Sequence, residues 1–419
     1  MSVGNSAPAK QRPALVPSGG RGYDTPMEQT RALRVAIFLS GLTGGGAQRR
    51  SLLLARGLVE RGCSTDVVVV RGDGPFAREV PPRARLVALE PAAARMPLIG
   101  NRRALWVLSG IPALARYLRT ERPDVLVSTS TAGNLAALAA RTLSRSRVPV
   151  VITVNTNLSA GAAGASSAAP LVGALGRRCI ARAYSGADAA IAISRGVAED
   201  LRHVTTLAGD RIAQVYNPID VASIAARSRE SVEHPWLQPG APAVVLAAGK
   251  LKLQKDYPTL LAAFARVRAS RPAHLVILGE GEERERIERR ARELGLFDDL
   301  YMPGFVDNPF AWMARASVFV LSSAWEGLSN ALLEALACGC PVVSTDCRSG
   351  PREILADGRF GRLVCVGDDA ALAQSILETL EAPLPRERLT ARAAEFGVDK
   401  AVDGYLTVLS SVCRLRGGS

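Results

Sequence analysis

Histidine, aromatic residues and long apolar runs are all scarce in this chain of 419 residues. The three histidines, His203, His234 and His274, lie far apart, and the seven cysteines (Cys63, Cys179, Cys338, Cys340, Cys347, Cys365 and Cys413) form no C-x-x-C pair. That spacing gives no zinc ligand set, and an odd number of unpatterned cysteines fits free thiols in a reducing compartment. No run of eighteen apolar residues occurs, so the sequence predicts no membrane-spanning helix. Residues 1–30 hold Pro, Gly and charge without an apolar centre; they read as a disordered lead-in and not as a signal peptide. Aromatics at 5% and the lack of a recognisable motif leave a nucleic-acid reading resting on charge alone, and no nucleic-acid partner is expected.

Positive charge, by contrast, is plentiful and one-sided. The net charge is +13; residues 1–240 hold 30 of the 52 basic residues against 16 acidic ones, net +14, and the remainder is net −1. A basic half attracts anions such as phosphate or an acidic lipid surface, although a general preference for Arg over Lys accounts for the same excess. Apolar residues at 48% and charged residues at 22% are those of a globular protein, and the length favours two domains.

The order of patterns is that of an α/β protein. Val35-Ala36-Ile37-Phe38-Leu39 is a continuous apolar run, as in a strand buried on both faces of a parallel sheet. A loop from Gly41 to Gly46 follows, then helical spacing from Ala47 to Arg61 with a stop at Gly62, then a strand from Asp66 to Val70. This is the opening of a doubly wound sheet. Further strands are expected at 124–128, 148–154 and 187–193. Residues 235–242, with three prolines and a glycine, read as a linker. A second series then begins: strand 243–248, helix 257–270, strand 274–278, helix 282–294, short strands at 300–302, 318–322 and 341–345, and a terminal helix around 400–414. The small-residue stretch 159–176 reads as a mobile loop or a segment that touches a membrane surface.

Four places could carry chemistry. Gly44-Gly45-Gly46 follows the first strand and opens a helix, where backbone N–H groups and the dipole favour an anion; it is not G-x-G-x-x-G, and a triple glycine taken alone is more often a plain turn. Lys250 and Lys255 follow the first strand of the second series, at the strand end where such sheets bind ligands, and can act as point charges for phosphate; a solvated loop is the alternative. Glu326 leaves the strand 318–322, Ser329 and Asn330 are suited to cap the next helix, and Glu334 lies a turn into it among Leu332, Leu333 and Leu336. A carboxylate in an apolar helix needs partners: sugar or ribose hydroxyls, or an arginine in a buried salt bridge. Arg348 to Glu353 forms a loop on the same rim and reads as an ordinary turn.

Glu326 and Glu334 form an E-x7-E pair in EGLSNALLEALACGCPVVSTD, preceded by GKLKLQKDYPTLLAAFARV, LVILGEGEERERIERRARELGL and YMPGFVDN. Together these resemble the donor-binding half of the retaining glycosyltransferases of family 4, while GLTGGGAQRR, ISRGVAEDL and VYNPID are similar to that family's acceptor half. The resemblance runs from about 34 to 413. It implies the GT-B fold, two Rossmann-like doubly wound domains facing a central cleft: 31–235 for the acceptor, joined by a terminal helix at about 397–416, and 236–396 for the nucleotide-sugar.

The resemblance also implies roles. Lys250 and Lys255 would carry the diphosphate, with Lys250 standing where an arginine is usual, so its grip is a single charge. Glu334 would bind the ribose and Glu326 the donor sugar; backbone near Gly327, Leu328, Ser329 and Asn330 would meet sugar and diphosphate, backbone near Phe305 and Val306 the base, and Gly44, Gly45 and Gly46 the diphosphate from the other domain. Many members carry a histidine after a strand like 150–154, where this chain has Asn155. No D-x-D triplet occurs, in keeping with charge neutralisation by side chains, so neither metal nor cofactor is expected. The expected activity is transfer from a nucleotide-sugar, by preference UDP-linked with GDP as the alternative, to a glycan or lipid-linked glycan of a surface polysaccharide. The expected place is the cytoplasm or the cytoplasmic face of the inner membrane, against an anionic surface. A nucleotide-sugar epimerase, a phosphorylase or a non-catalytic sugar-nucleotide binder would use a similar scaffold. An epimerase would act on donor alone, a pyridoxal phosphorylase needs a cofactor lysine and a longer chain, and a mere binder fits the absent histidine but not the intact glutamates and lysines.

Overall fold

The computed structural model describes residues 32–43, 45–91, 103–159 and 170–417. The lead-in, Gly44 and residues 160–169 of the small-residue stretch lie outside the described residues. The first half is a seven-stranded sheet of β1 (Arg34–Leu39), β2 (Ser64–Val69), β3 (Arg85–Ala88), β4 (Val125–Thr129), β5 (Val150–Val154), β6 (Ala189–Ala192) and β7 (Ile212–Gln214). The second half is a six-stranded sheet of β8 (Ala243–Ala248), β9 (Ala273–Leu278), β10 (Leu300–Gly304), β11 (Val318–Leu321), β12 (Val342–Thr345) and β13 (Arg362–Val364).

All pairings are parallel. The orders are β3-β2-β1-β4-β5-β6-β7 and β10-β9-β8-β11-β12-β13. Each chain half therefore starts in mid-sheet, runs to one edge, then crosses back to the other side of its first strand. The reversal opens a crevice at the carboxyl ends of β1 and β4 in one sheet and of β8 and β11 in the other, where doubly wound sheets hold ligands. The continuous apolar runs read as central strands are buried throughout: Ala36, Ile37, Val68, Val127, Ile152, Leu246 and Val320 are 0–1% exposed. Three short strands give no such signal. β3 is a mostly exposed edge strand, and β7 and β13 have three residues each.

The terminal helix Val398–Gly417 returns to the first half. It packs on the helix Gly46–Glu60, where a Cβ on Gly57 would lie 2.3 Å from Val402 Cγ2, so a glycine is what lets the two helices approach. Val402, Tyr405, Val408 and Leu409 share one apolar cluster with Ile37, Leu39 and Leu52. The proline-rich connection is anchored: Trp236, in the short 3-10 turn Pro235–Leu237, stacks on His274 of β9 with ring centroids 4.0 Å apart and planes within 2°. His234 lies against Tyr301 of β10.

Candidate active site

The loop after β8 folds back on itself. Gly249 takes φ 153°, and a Cβ there would lie 3.0 Å from Lys255 Cε, so the lysine stem passes directly over a bare backbone. Asp256, at φ 46°, turns the chain sharply into the helix Tyr257–Ser270 and caps it through Thr259. This aims Lys255 inward, where its Nζ donates to Glu326 Oε1 at 2.7 Å. Both side chains are largely buried, 17% and 9% exposed. Glu326 also accepts from Ser323 Oγ at 2.8 Å and Gln254 Nε2 at 3.4 Å. A buried ion pair is held this firmly only when its remaining lone pairs find donors, as they do here.

Eight residues further on, Glu334 sits half-buried in the helix Asn330–Ala337. Its carboxylate has no hydrogen-bond or ion-pair partner among the described residues. Burial pushes its carboxyl above the usual range, and the charges of Arg49, Arg50 and Lys255 act against that rise. The salt bridge with an arginine, the plainer of the two sequence readings, does not form within 4 Å. Ser329, only 2% exposed, precedes the helix without capping it, and its hydroxyl has no hydrogen-bond partner. A buried hydroxyl, a carboxylate without donors and a helix N-terminus thus converge beside an inward-facing ammonium group. This arrangement can accept sugar hydroxyls and neutralise a phosphate.

The first half closes over this surface. A Cβ on Gly327 would lie 1.9 Å from the carbonyl oxygen of Asn155, just past β5, so the two halves touch there. Asn217 Nδ2 donates to Asn330 Oδ1 at 3.1 Å. Asn157 and Ser349 exchange hydrogen bonds at 2.9 and 3.1 Å. The Glu353 carboxylate accepts from the N–H groups of Arg195 and Gly196 (2.8 and 3.2 Å) and from Tyr216 Oη (3.1 Å). It thereby finishes the helix Arg195–Val204 of the other half. The loop from Arg348 to Glu353 is therefore no ordinary turn, as its sequence suggested, but a bridge across the cleft.

Of the residues singled out from sequence, Glu326, Lys255, Gly327, Leu328, Ser329, Asn330 and Glu334 come together on one rim. Gly45 and Gly46 open the helix on the facing side, Gly46 lying with Asn330 Nδ2 3.9 Å from where its Cβ would be. Lys250 is exposed, and its side chain has no partner among the described residues. Phe305 is 81% exposed and Val306 half-buried, on the loop after β10. Sequence reasoning missed Arg49 and Arg50, taken into the general charge excess, and the cross-cleft partners of Glu353. Arg50 is half-buried, and burial lowers its guanidinium to about 10 despite Tyr405 and Glu334 nearby. One signal was available: cations near a helix N-terminus oppose the dipole, and neither arginine follows an acidic first turn.

Known proteins share this architecture and parts of this sequence. Residues 44–223 match the family model described as Glycosyltransferase Family 4, and residues 228–396 the one described as Glycosyl transferases group 1. The N-acetylgalactosamine-N,N'-diacetylbacillosaminyl-diphospho-undecaprenol 4-alpha-N-acetylgalactosaminyltransferase of Campylobacter jejuni is 34% identical over 198 residues, 47% of this chain and 52% of that protein. The lipopolysaccharide core biosynthesis glycosyltransferase LpsE of Rhizobium meliloti is 31% identical over 234 residues, 54% of this chain and 66% of that protein. The chain thus spans about half to two thirds of the length of these relatives. Among solved structures, that of Anabaena HepE in complex with UDP and glucose matches with a TM-score of 0.70 at 19% identity, covering 90% of this chain and 99% of that one.

Proposed function

The chain belongs to the group 1 glycosyltransferases of family 4, and on that footing we propose that it moves a sugar from a nucleotide-sugar, UDP-linked, to a hydroxyl of a glycan or lipid-linked glycan. The observation that carries this reading is the buried Lys255–Glu326 pair set at the strand ends beside the partnerless carboxylate of Glu334. Residues 236–396 hold the donor in this reading, and residues 31–235 with the terminal helix hold the acceptor.

The roles follow from the chemistry. Glu334 accepts hydrogen bonds from the ribose and Glu326 from the donor sugar. The bond between the anomeric carbon and the diphosphate oxygen breaks, its electron pair stays on that oxygen, and Lys255 and the helix N-terminus at Asn330 stabilise the negative charge without a metal ion. Lys250, exposed on the same loop, adds a single charge and no fork of donors. The acceptor hydroxyl attacks on the face the diphosphate leaves and gives its proton to a phosphate oxygen, so the configuration is retained. Gly327 against Asn155 shuts water out. Asn155, unlike the histidine it replaces, carries no proton in this scheme.

The acceptor reading draws on the named relatives, one acting on a diphospho-undecaprenol-linked glycan and one in lipopolysaccharide core synthesis. It draws also on charge. No helix among the described residues is long and apolar enough to cross a membrane. Yet Arg119, Arg122, Arg145 and Arg147 line one groove of about 580 Å³, and none has an ion-pair partner among the described residues. Such a surface suits an anionic membrane. A thermal-shift screen with UDP-, GDP-, ADP- and TDP-sugars in EDTA tests the donor reading: one nucleotide class stabilises the wild type and not Glu334→Ala. Silence with every donor overturns it. Sedimentation with anionic vesicles at low salt tests the membrane reading, and failure to co-sediment overturns it.

A further inference from the structure

We infer that Arg50 is a catalytic cation supplied from the first half, contacting the donor's diphosphate across the cleft. This rests on the transferase reading above and adds to it a residue from outside the donor half.

Arg50 lies in the second turn of the helix Gly46–Glu60, half-buried, with no ion pair within 4 Å among the described residues. Its neighbour Arg49 is engaged, at 3.9 Å from Glu79 and over the ring of Phe76. A guanidinium out of water without a counter-ion is costly, so such a group is kept where an anion arrives. Its direction is set by its surroundings. Arg50 Nη1 lies 3.2 Å from where a Cβ on Gly46 would be, and Asn330 Nδ2 lies 3.9 Å from the same point. The side chain therefore folds back over the start of its own helix, towards the start of the helix Asn330–Ala337 across the cleft. Two helix N-termini, Arg50 and Lys255 then surround one gap, and their charges all call for an anion there.

Two further observations point to a ligand in that gap. The hydroxyl of Ser329, 2% exposed, has no partner. Among the described residues, Glu334 is the acidic side chain of the facing half whose charge acts on Arg50. Glu334, engaged by ribose hydroxyls, makes no ion pair with Arg50, and the guanidinium donors are open to the diphosphate. The need is real in this chain, because Lys250 stands exposed and unengaged. A fork of donors from Arg50 restores the bidentate grip that a lysine at 250 cannot provide.

The test compares binding of UDP and of uridine by calorimetry to the full-length wild type, Arg50→Met, Arg50→Lys and Lys255→Met, with turnover measured on the same preparations; GDP and guanosine replace them if the donor screen selects guanine. The expected result is a loss of about 10–100-fold in UDP affinity in Arg50→Met, uridine affinity unchanged within twofold, lower kcat, and partial rescue in Arg50→Lys. Equal loss for UDP and uridine, no loss for either, or a rise confined to the acceptor KM would each overturn the proposal. Should Arg50→Met fail to fold, Arg50→Gln and Arg50→Lys are read by the same criteria. If Arg50 variants behave as wild type while Lys255→Met loses UDP, the Arg50 proposal fails and the transferase reading stands. If the wild type binds no nucleoside diphosphate, the transferase reading itself fails.

Discussion

The loops that leave the first strand of each sheet occupy the same place in the same topology but are built differently. After β8, Gly249 is stripped of a side chain because Lys255 lies on it, and the lysine is tied down to Glu326. After β1, Gly45 at φ 121° has nothing within 4 Å of where a Cβ would be, and Arg50, the second cation that follows, has no ion pair within 4 Å among the described residues. One loop is a finished part and the other a waiting one. In the proposed reading that asymmetry has a use: the half that carries β8 binds the donor with a cation already in place, and the other half adds its own across the cleft.

The sharpest way to break the comparison is to remove the finished part. Lys255→Met should lower kcat about 10²–10³-fold, measured at saturating donor. Gly327→Ala should come next, with kcat/KM down by about 10²-fold and an unchanged circular-dichroism spectrum, because the added methyl meets Asn155 and holds the halves apart. The two loop glycines then separate. Gly249→Ala and Gly45→Ala should each lose about 1–3 kcal/mol of stability from their positive φ, read by urea unfolding, but only Gly249→Ala should also displace Lys255 and cost turnover.

The smallest effect is one of pH. Glu334 has its carboxyl raised by burial, so the native state favours its protonated form, and stability attributable to this group falls as pH rises through that raised value. Binding runs the other way. In the proposed role the ionised form accepts the ribose hydroxyls, so nucleotide affinity should fall on acidification at a pH above the ordinary glutamate range. Glu334→Gln should flatten both dependences. An affinity profile identical in the variant would refute the assignment.

The central strands were legible because they are apolar on both faces, and the position of Glu326 and Lys255 followed from knowing where such strands end. β3 was not legible, because an exposed edge strand such as Arg85–Ala88 has no apolar pattern to read. The loop Arg348–Glu353 was read as a turn because its partners, Asn157, Arg195, Gly196 and Tyr216, lie more than 130 residues away along the chain, and nothing local marks them. Arg50 was hidden in a surplus of arginines; its one local mark, the conflict with the helix dipole, is shared with Arg49.

The carboxylate of Glu353 completes a helix that belongs to the opposite half. Separating the halves would leave the first two N–H groups of that helix to water, while Val197 N–H keeps its bond to Ser194 Oγ. A frayed helix start at Arg195 is therefore the expected mark of an open cleft. Hydrogen exchange at the amides of Arg195 and Gly196 would clock the cycle without any substrate present.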